Sequence, residues 1–394
     1  MTSITRAAFT TGLVSVALLT AVSVHAVTLG TFNNTTVNLG GYVKLDAMFT
    51  DFSDGTVDGS SPGRDFYIPG VTPVGGTSEN TVFDMHARQT RIHLATDSKV
   101  GEHMLKSYIE VDFMVNPLGD ERISNSYAPR LRHAYLAYGK WLLGQTWSTF
   151  QNVAALPETV DFIGNTDAGI FIRQPQIRYT RDNWQFSIEN PETTVTPSGG
   201  GTRIVADDNE LPDFVARYNL NNKNLSLAGA VLLRQLTYNN TGASPAGVVD
   251  DSTAAWGISL TGKYMIKKDD VRFGLNIGSG LGRYIGLNVS NGAVIDGNNK
   301  LEAIDSVGLF ASYRHHWNDK YRSNFTFSRI DIDNNASLTG NSATKSTSSA
   351  RANLFYNWAN NLSLGGELAI TNREIETGAD GGMTRLQFMA MYKF

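Results

Sequence analysis

From Val37 to the final residue, Phe394, apolar and polar residues alternate with a period of two, run after run. Successive side chains of a strand point to opposite faces, so this pattern builds one apolar face and one wet face. Val37, Leu39, Val43, Leu45, Ala47 and Phe49 alternate with Asn38, Lys44, Asp46 and Thr50. Leu105, Ile109, Val111 and Phe113 alternate with Lys106, Tyr108, Glu110 and Asp112. Trp256, Ile258, Leu260 and Tyr264 alternate with Gly257, Ser259, Thr261 and Lys263. The pattern predicts an all-β chain.

A soluble sandwich also has one wet face. Three features favour a transmembrane antiparallel β-barrel. Many runs span about 9–13 residues, near what a tilted strand needs to cross a bilayer and longer than soluble strands usually are. Aromatic residues stand near run ends (Tyr42, Tyr138, Trp141, Trp184, Trp317, Tyr321, Trp358, Tyr392), as interfacial girdles require. Connections alternate between tight polar turns (Asn221–Lys223, Lys267–Asp270, Asn318–Lys320, Ala359–Asn361) and long polar loops (Asp51–Asn80, Asn190–Leu211, Tyr238–Ser252, Leu281–Leu301, Asp331–Thr347). Short turns on one side and long loops on the other mark bacterial barrels. The expected strand cores are 37–51, 81–97, 103–116, 129–139, 140–148, 171–181, 183–190, 212–221, 223–237, 253–267, 269–280, 303–317, 319–331, 346–358, 361–375 and 382–394. Sixteen strands enclose a water-filled lumen.

Composition narrows the partners. A formal net charge of −4 gives no electrostatic support for nucleic acid. The chain has no cysteine, which removes disulfides and thiolate chemistry. Residues 1–26 read as a secretory signal: Arg6, an apolar stretch from Ala7 to Val22, then Val24-His25-Ala26 before a cleavage point. An N-terminal membrane anchor is the alternative. The barrel is expected over residues 27–394. Its last strand alternates Leu386, Phe388, Ala390, Tyr392 and Phe394 with Arg385, Gln387 and Lys393. A terminal aromatic on such a strand resembles the signal read by the barrel-assembly machinery. The bland reading is an edge strand that happens to end in Phe.

A channel acts through its lining. After the fifth strand, Leu142-Leu143-Gly144-Gln145-Thr146-Trp147-Ser148, the alternation stops. Residues 149–170 are expected to fold into the lumen as a constriction loop, with Glu158 and Asp161 facing basic residues of the wall. An ordinary outer loop is the alternative. Arg88, Arg91, Arg130, Arg132, Arg173, Arg178, Arg217 and Arg272 fall in strand segments. A charge on the lipid face costs about 2–4 kcal/mol, so these residues are expected to point inward or sit at the interface. Clustered guanidiniums would hold carboxylates bidentately; alternatively, Arg pairs with Glu110, Asp112 and Asp46 and no net field remains. Parity favours Arg91, which shares a face with Gln89 and His93, and Arg178, which shares one with Gln176. Arg88 and Arg173 have the wrong parity unless their strands bulge or start late. The histidines lack a metal-ligand spacing, and no nucleophile elbow occurs, so neither an enzyme nor a cofactor is expected. Asp207-Asp208 and Asp331-Ile332-Asp333 offer Ca²⁺ or lipopolysaccharide contacts, or are solvated turns.

Taken in order, Arg88-Gln89-Thr90-Arg91-Ile92, Leu131-Arg132-His133-Ala134-Tyr135, Gly144-Gln145-Thr146-Trp147-Ser148-Thr149-Phe150 and Arg173-Gln174-Pro175-Gln176-Ile177-Arg178-Tyr179 resemble the DcaP-like porins. The resemblance implies a sixteen-stranded homotrimeric outer-membrane channel for dicarboxylates and related aromatic anions. By motif position it implies solute contact by Arg91, Arg132, Arg173 and Arg178. The family can carry an N-terminal coiled coil, whereas only Val27–Thr36 precede the first expected strand here and show no heptad. The competing functions are a non-selective general porin and a surface β-protein for adhesion.

Overall fold

The computed structural model describes residues 26–78, 80–115, 124–240 and 248–394. The expected signal, apart from Ala26, lies outside the described residues. No helix among the described residues is long and apolar enough to cross a membrane.

Sixteen wall strands follow in chain order. They are β1 (Thr35–Phe52), β2 (Val82–His86 and Arg91–Val100), β3 (His103–Asp112), β4 (Arg130–Tyr138), β5 (Trp141–Trp147), β6 (Arg173–Arg181), β7 (Trp184–Glu189) and β8 (Asp213–Asn221). Then come β9 (Leu225–Asn240), β10 (Val249–Ile266), β11 (Asp269–Ser279), β12 (Asp305–His316), β13 (Tyr321–Asp333), β14 (Thr344–Ala359), β15 (Leu362–Ile375) and β16 (Asp380–Lys393). Each pairs antiparallel with its sequence neighbours. The wall closes where β16 pairs with β1, from Tyr42 opposite Lys393 to Phe52 opposite Met383. Beyond that ladder, Gly41 and Phe394 exchange both backbone hydrogen bonds, at 3.0 and 3.1 Å. Closure leaves no wall edge with unpaired peptide groups in hydrocarbon.

The alternation fixes the faces. Leu45, Phe49, Leu94, Ile109, Leu275 and Phe388 are exposed on the outside, while Lys44, Asp46, Glu110, Asn276, Arg351 and Gln387 are buried inside. An aromatic girdle lies at the short-turn end, with Trp141 against Tyr179 (4.8 Å between centroids), Trp184 against Tyr218 (4.9 Å) and Tyr321 against Tyr356 (4.7 Å). Tyr42, expected in this girdle, instead shares the inward parity of Lys44 and lies 5.1 Å from the Arg91 guanidinium.

Three features depart from the sequence expectation. A further strand, Val27–Phe32, forms a hairpin with the start of β1. Asn33 and Asn34 supply its turn, at φ 45° and 63°, the left-handed pair that two-residue hairpins need. Several hairpins run past their expected ends: β9 to Asn240, β10 from Val249 and β14 from Thr344. The long outer loops are also not irregular throughout. Thr193–Thr196, Ile204–Ala206, Ala293–Ile295 and Leu301–Ala303 form a separate four-stranded sheet. That sheet packs Val195, Ala293 and Ile295 against Leu236 and Ala255 of β9 and β10. It thereby covers inward apolar residues that water would otherwise meet, which is the driving force for its folding.

Candidate pore constriction

Inward parity brings Arg91 of β2, Glu110 and Asp112 of β3, and Arg130 and Arg132 of β4 onto one stretch of wall. Arg132 donates to Glu110 (2.7 Å) and to Asp112 (2.8 Å). Arg130 grips Asp112 bidentately at 2.9 and 2.8 Å. Arg91 lies 3.5 Å from Glu110. A β-bulge decides this arrangement. The β3–β4 register passes from Glu110 opposite His133 to Val111 opposite Leu131, so Arg132 is the extra residue. The bulge turns Arg132 and His133 inward together, and both are buried.

Arg88 reaches its place by another device. The second wall strand is interrupted between His86 and Arg91, with a turn from Thr90 N–H to the Ala87 carbonyl. The interruption resets the parity. Arg88 pairs with Asp65 of the first outer loop and lies 3.9 Å from the Tyr127 ring centroid. Gln89 is buried and accepts from Lys44 Nζ at 2.9 Å. Arg173 opens β6 beside Trp147, the last residue of β5. Its guanidinium lies 4.3 Å from the Trp147 ring centroid and 5.6 Å from that of Phe171. Arg132 lies 5.9 Å from the same Trp147 ring. The Nη1 of Arg173 is buried with no hydrogen-bond partner among the described residues. Around Trp147, then, Arg91, Arg130, Arg132 and Arg173 face only Glu110 and Asp112, leaving two guanidinium charges in excess among the described residues.

Arg178 has inward parity but belongs to different neighbours. It donates to Thr149 Oγ1 (2.8 Å), Gln176 Oε1 (3.0 Å) and the Trp147 carbonyl (2.5 Å). These are the first contacts of a series. Residues 149–170 leave the wall and cross its inner surface as a strap pinned by successive strands. Arg217 of β8 donates to the Gln151 carbonyl at 2.7 Å, and Arg272 of β11 donates to that of Leu156. Arg322 of β13 grips Glu158 at 2.8 and 2.6 Å. Lys44 of β1 donates to the Val160 carbonyl at 2.7 Å, and Arg351 of β14 pairs with Asp161 at 2.8 Å. Glu367 of β15 accepts from Val160 N–H at 2.9 Å. Asp167 accepts from Tyr67 (2.7 Å) and Ser349 (2.5 Å). Burial raises the Asp167 carboxyl above its ordinary range, and hydrogen bonds from Ser349, Tyr67 and Thr347 offset part of that rise.

The acids of the strap thus meet arginines that sequence reasoning did not single out: Arg314, Arg322 and Arg351. Alternation carries a signal for Arg351, which shares parity with the buried Ser349 and Asn353 and opposes Ala350, Ala352 and Leu354. Asp46 pairs with Lys44 at 3.0 Å, not with an arginine. Asp331 is held by Arg329 at 2.9 Å, and Asp208 accepts from Asn239 N–H at 2.9 Å.

Residues 31–394 match the family model described as DcaP outer membrane protein. Among solved structures, the outer membrane channel DcaP of Acinetobacter baumannii superposes with a TM-score of 0.76 at 24% identity, covering 93% of this chain and 99% of that one. In-vitro folded OmpT of Vibrio cholerae gives 0.56 at 11% identity, covering 93% and 99%. OmpF of Salmonella typhi gives 0.52 at 10%, covering 92% and 99%. No curated protein matches. The chain belongs to the DcaP outer membrane protein family and is a porin-type channel of the outer membrane.

Proposed function

We propose that the channel passes small hydrophilic solutes passively and prefers anions, dicarboxylates and aromatic carboxylates among them. The observation that carries this reading is the excess of guanidinium over carboxylate charge around Trp147 among the described residues. Inside a low-dielectric wall such an excess sets a local field that the chain's negative net charge does not cancel. Arg91, Arg130, Arg132 and Arg173 are the contact residues in this reading. Arg178, Glu158 and Asp161 act by holding the strap, which narrows the lumen. Arginine offers a carboxylate two parallel donors, and the Trp147 and Phe171 rings offer a face to an aromatic acid.

Assembly as a homotrimer goes with this reading. The outer wall of β1–β3 carries two hydroxyl pairs beside its apolar side chains, Thr96 with Ser107 and Thr35 with Ser98, each at 2.7 Å. Such a patch suits a protein neighbour better than acyl chains. Export as a precursor cleaved after Ala26, and insertion by a barrel-assembly machinery that reads Phe394, belong to the same proposal.

Reconstituted channels in a KCl gradient test it: an anion-selective reversal potential is expected, and a cation-selective one removes the proposal. Liposome swelling with succinate, phthalate, glucose and arginine ranks the solutes. A non-selective general porin is the second reading, favoured by the pairing of three of the four arginines with Glu110 and Asp112. Equal swelling rates for all four solutes would decide for it.

A further inference from the structure

A cavity at the outer mouth carries charge of one sign. It has a volume of about 370 Å³ and lies where residues 196–203, 287–291, 68–71 and 339–344 meet. Arg203 and Arg373 are its only charged lining residues among the described residues. Both are held by neutral acceptors. Arg203 donates through Nε to Asn291 Oδ1 (2.5 Å) and through Nη2 to the Asn288 carbonyl. Arg373 donates through Nε to Thr344 Oγ1 (3.0 Å) and through Nη1 to the Thr72 carbonyl (2.9 Å).

Neither nearby acid lines the cavity, although Glu376 is hydrogen-bonded to the lining residue Asn334. Glu374 accepts from Lys345 at 2.7 Å, and Glu376 accepts from Asn334 at 2.8 Å. Each guanidinium is thus fixed in orientation, with one Nη group, Nη1 of Arg203 and Nη2 of Arg373, making no hydrogen bond among the described residues. Thr196, Asn288, Ser290 and Thr339 add hydroxyls and amides to the lining, beside the apolar Ile68, Val71, Leu287 and Val289. Two oriented guanidiniums, each with one open Nη group beside neighbouring hydroxyls and amides, are the chemistry that recognises a compact oxyanion.

We propose that Arg203 and Arg373 form a capture site for small oxyanions of dicarboxylate size at the outer mouth, apart from the cluster around Trp147. The proposal rests on the anion preference argued above and adds a first station to the path. Capture there raises the local concentration of solute ahead of the constriction and accelerates entry from outside only.

Single channels in phospholipid bilayers free of lipopolysaccharide test it, with succinate added to one compartment and then to the other. Interruptions of the KCl current by succinate from the outer side are expected to become roughly tenfold rarer in the double variant Arg203→Gln/Arg373→Gln, within the range electrostatic steering covers. The rate from the periplasmic side and the reversal potential stay as in the unmodified channel. Arg203→Lys/Arg373→Lys keeps most of the outer rate. An unchanged outer rate overturns the capture site, and so does an equal fall from both sides. If lipopolysaccharide in the outer leaflet removes the outer advantage of the unmodified channel, the recess is a lipid-phosphate site and solute capture is overturned. A cation-selective unmodified channel would instead sink the anion reading itself. Heat-modifiable gel mobility checks that each variant has closed its barrel.

Discussion

Glu158 of the strap and Arg322 of β13 meet fork to fork, with Oε1 2.6 Å from Nη2 and Oε2 2.8 Å from Nε. Burial opposes ionisation of Glu158. The hydrogen bonds from Arg322 and the charges of Arg322, Arg314 and Arg272 outweigh it and hold the carboxyl below the usual glutamate range. A lowered folded-state value means that the stabilisation is present above the unfolded value, about 4.3, and is lost as pH falls through the folded one. Single-channel conductance is therefore expected to stay level from neutrality to about pH 4 and to change only in stronger acid, where the strap loses this anchor. Glu158→Gln should abolish that acid step and move the reversal potential toward greater anion selectivity. An acid step that survives in Glu158→Gln would assign it to another group.

Arg132 and Arg173 separate structure from selectivity. Arg132 is buried and serves both Glu110 and Asp112. Removing it leaves buried carboxylates short of a partner, a change that costs about 3–5 kcal/mol. Arg132→Gln is expected to lower the urea midpoint of the folded barrel by a matching amount. Arg173 has no ion pair within 4 Å among the described residues and stacks on Trp147. Arg173→Gln should leave the urea midpoint nearly in place and reduce anion selectivity. The opposite pattern in the two variants would reverse these roles.

Asp161 and Arg351 pair at 2.8 Å where both are buried, with Glu367 3.3 Å from the same guanidinium nitrogen. A double-mutant cycle with Asp161→Asn and Arg351→Gln is expected to return a coupling of about 1–3 kcal/mol, since contacting residues in one network do not add. Coupling near zero would mean that the strap is held elsewhere.

Phe388 is exposed on the outer wall between its register partners Ala47 and Gly366. Phe388→Arg places a charge in hydrocarbon and should destabilise folding into vesicles by about 2–4 kcal/mol. Soluble, detergent-free folding of that variant would contradict a lipid-facing position.

Deleting Phe394 removes both hydrogen bonds to Gly41 at the seam. The intrinsic loss is about 1 kcal/mol per bond. Assembly in cells is expected to fall further than refolding from urea, because the proposed recognition of the terminal residue is lost as well. Equal losses in the two assays would leave Phe394 a closure role alone.

Strand number, closure by the final run, and the point after Trp147 where the wall is left were all legible in the residues. Each follows from the covalent geometry of an extended chain, in which side chains alternate whatever lies across the barrel. Leu386, Phe388 and Tyr392 face outward because Arg385 and Gln387 face inward, and no distant contact is needed to see it. The placing of Arg88, Arg132 and Arg173 was not legible. Arg88 depends on an interrupted strand and Arg132 on a one-residue bulge, which shift parity through contacts between neighbouring strands, while Arg173 keeps the parity of Pro175 and Ile177 and is placed by its stack on Trp147 at the start of β6. The partners of Glu158 and Asp161 lie more than 160 positions away, on β13 and β14. Only a closed cylinder brings such residues face to face, because the strap crosses from the wall it leaves to the wall opposite. Local alternation decides which way a side chain points; closure decides what it meets.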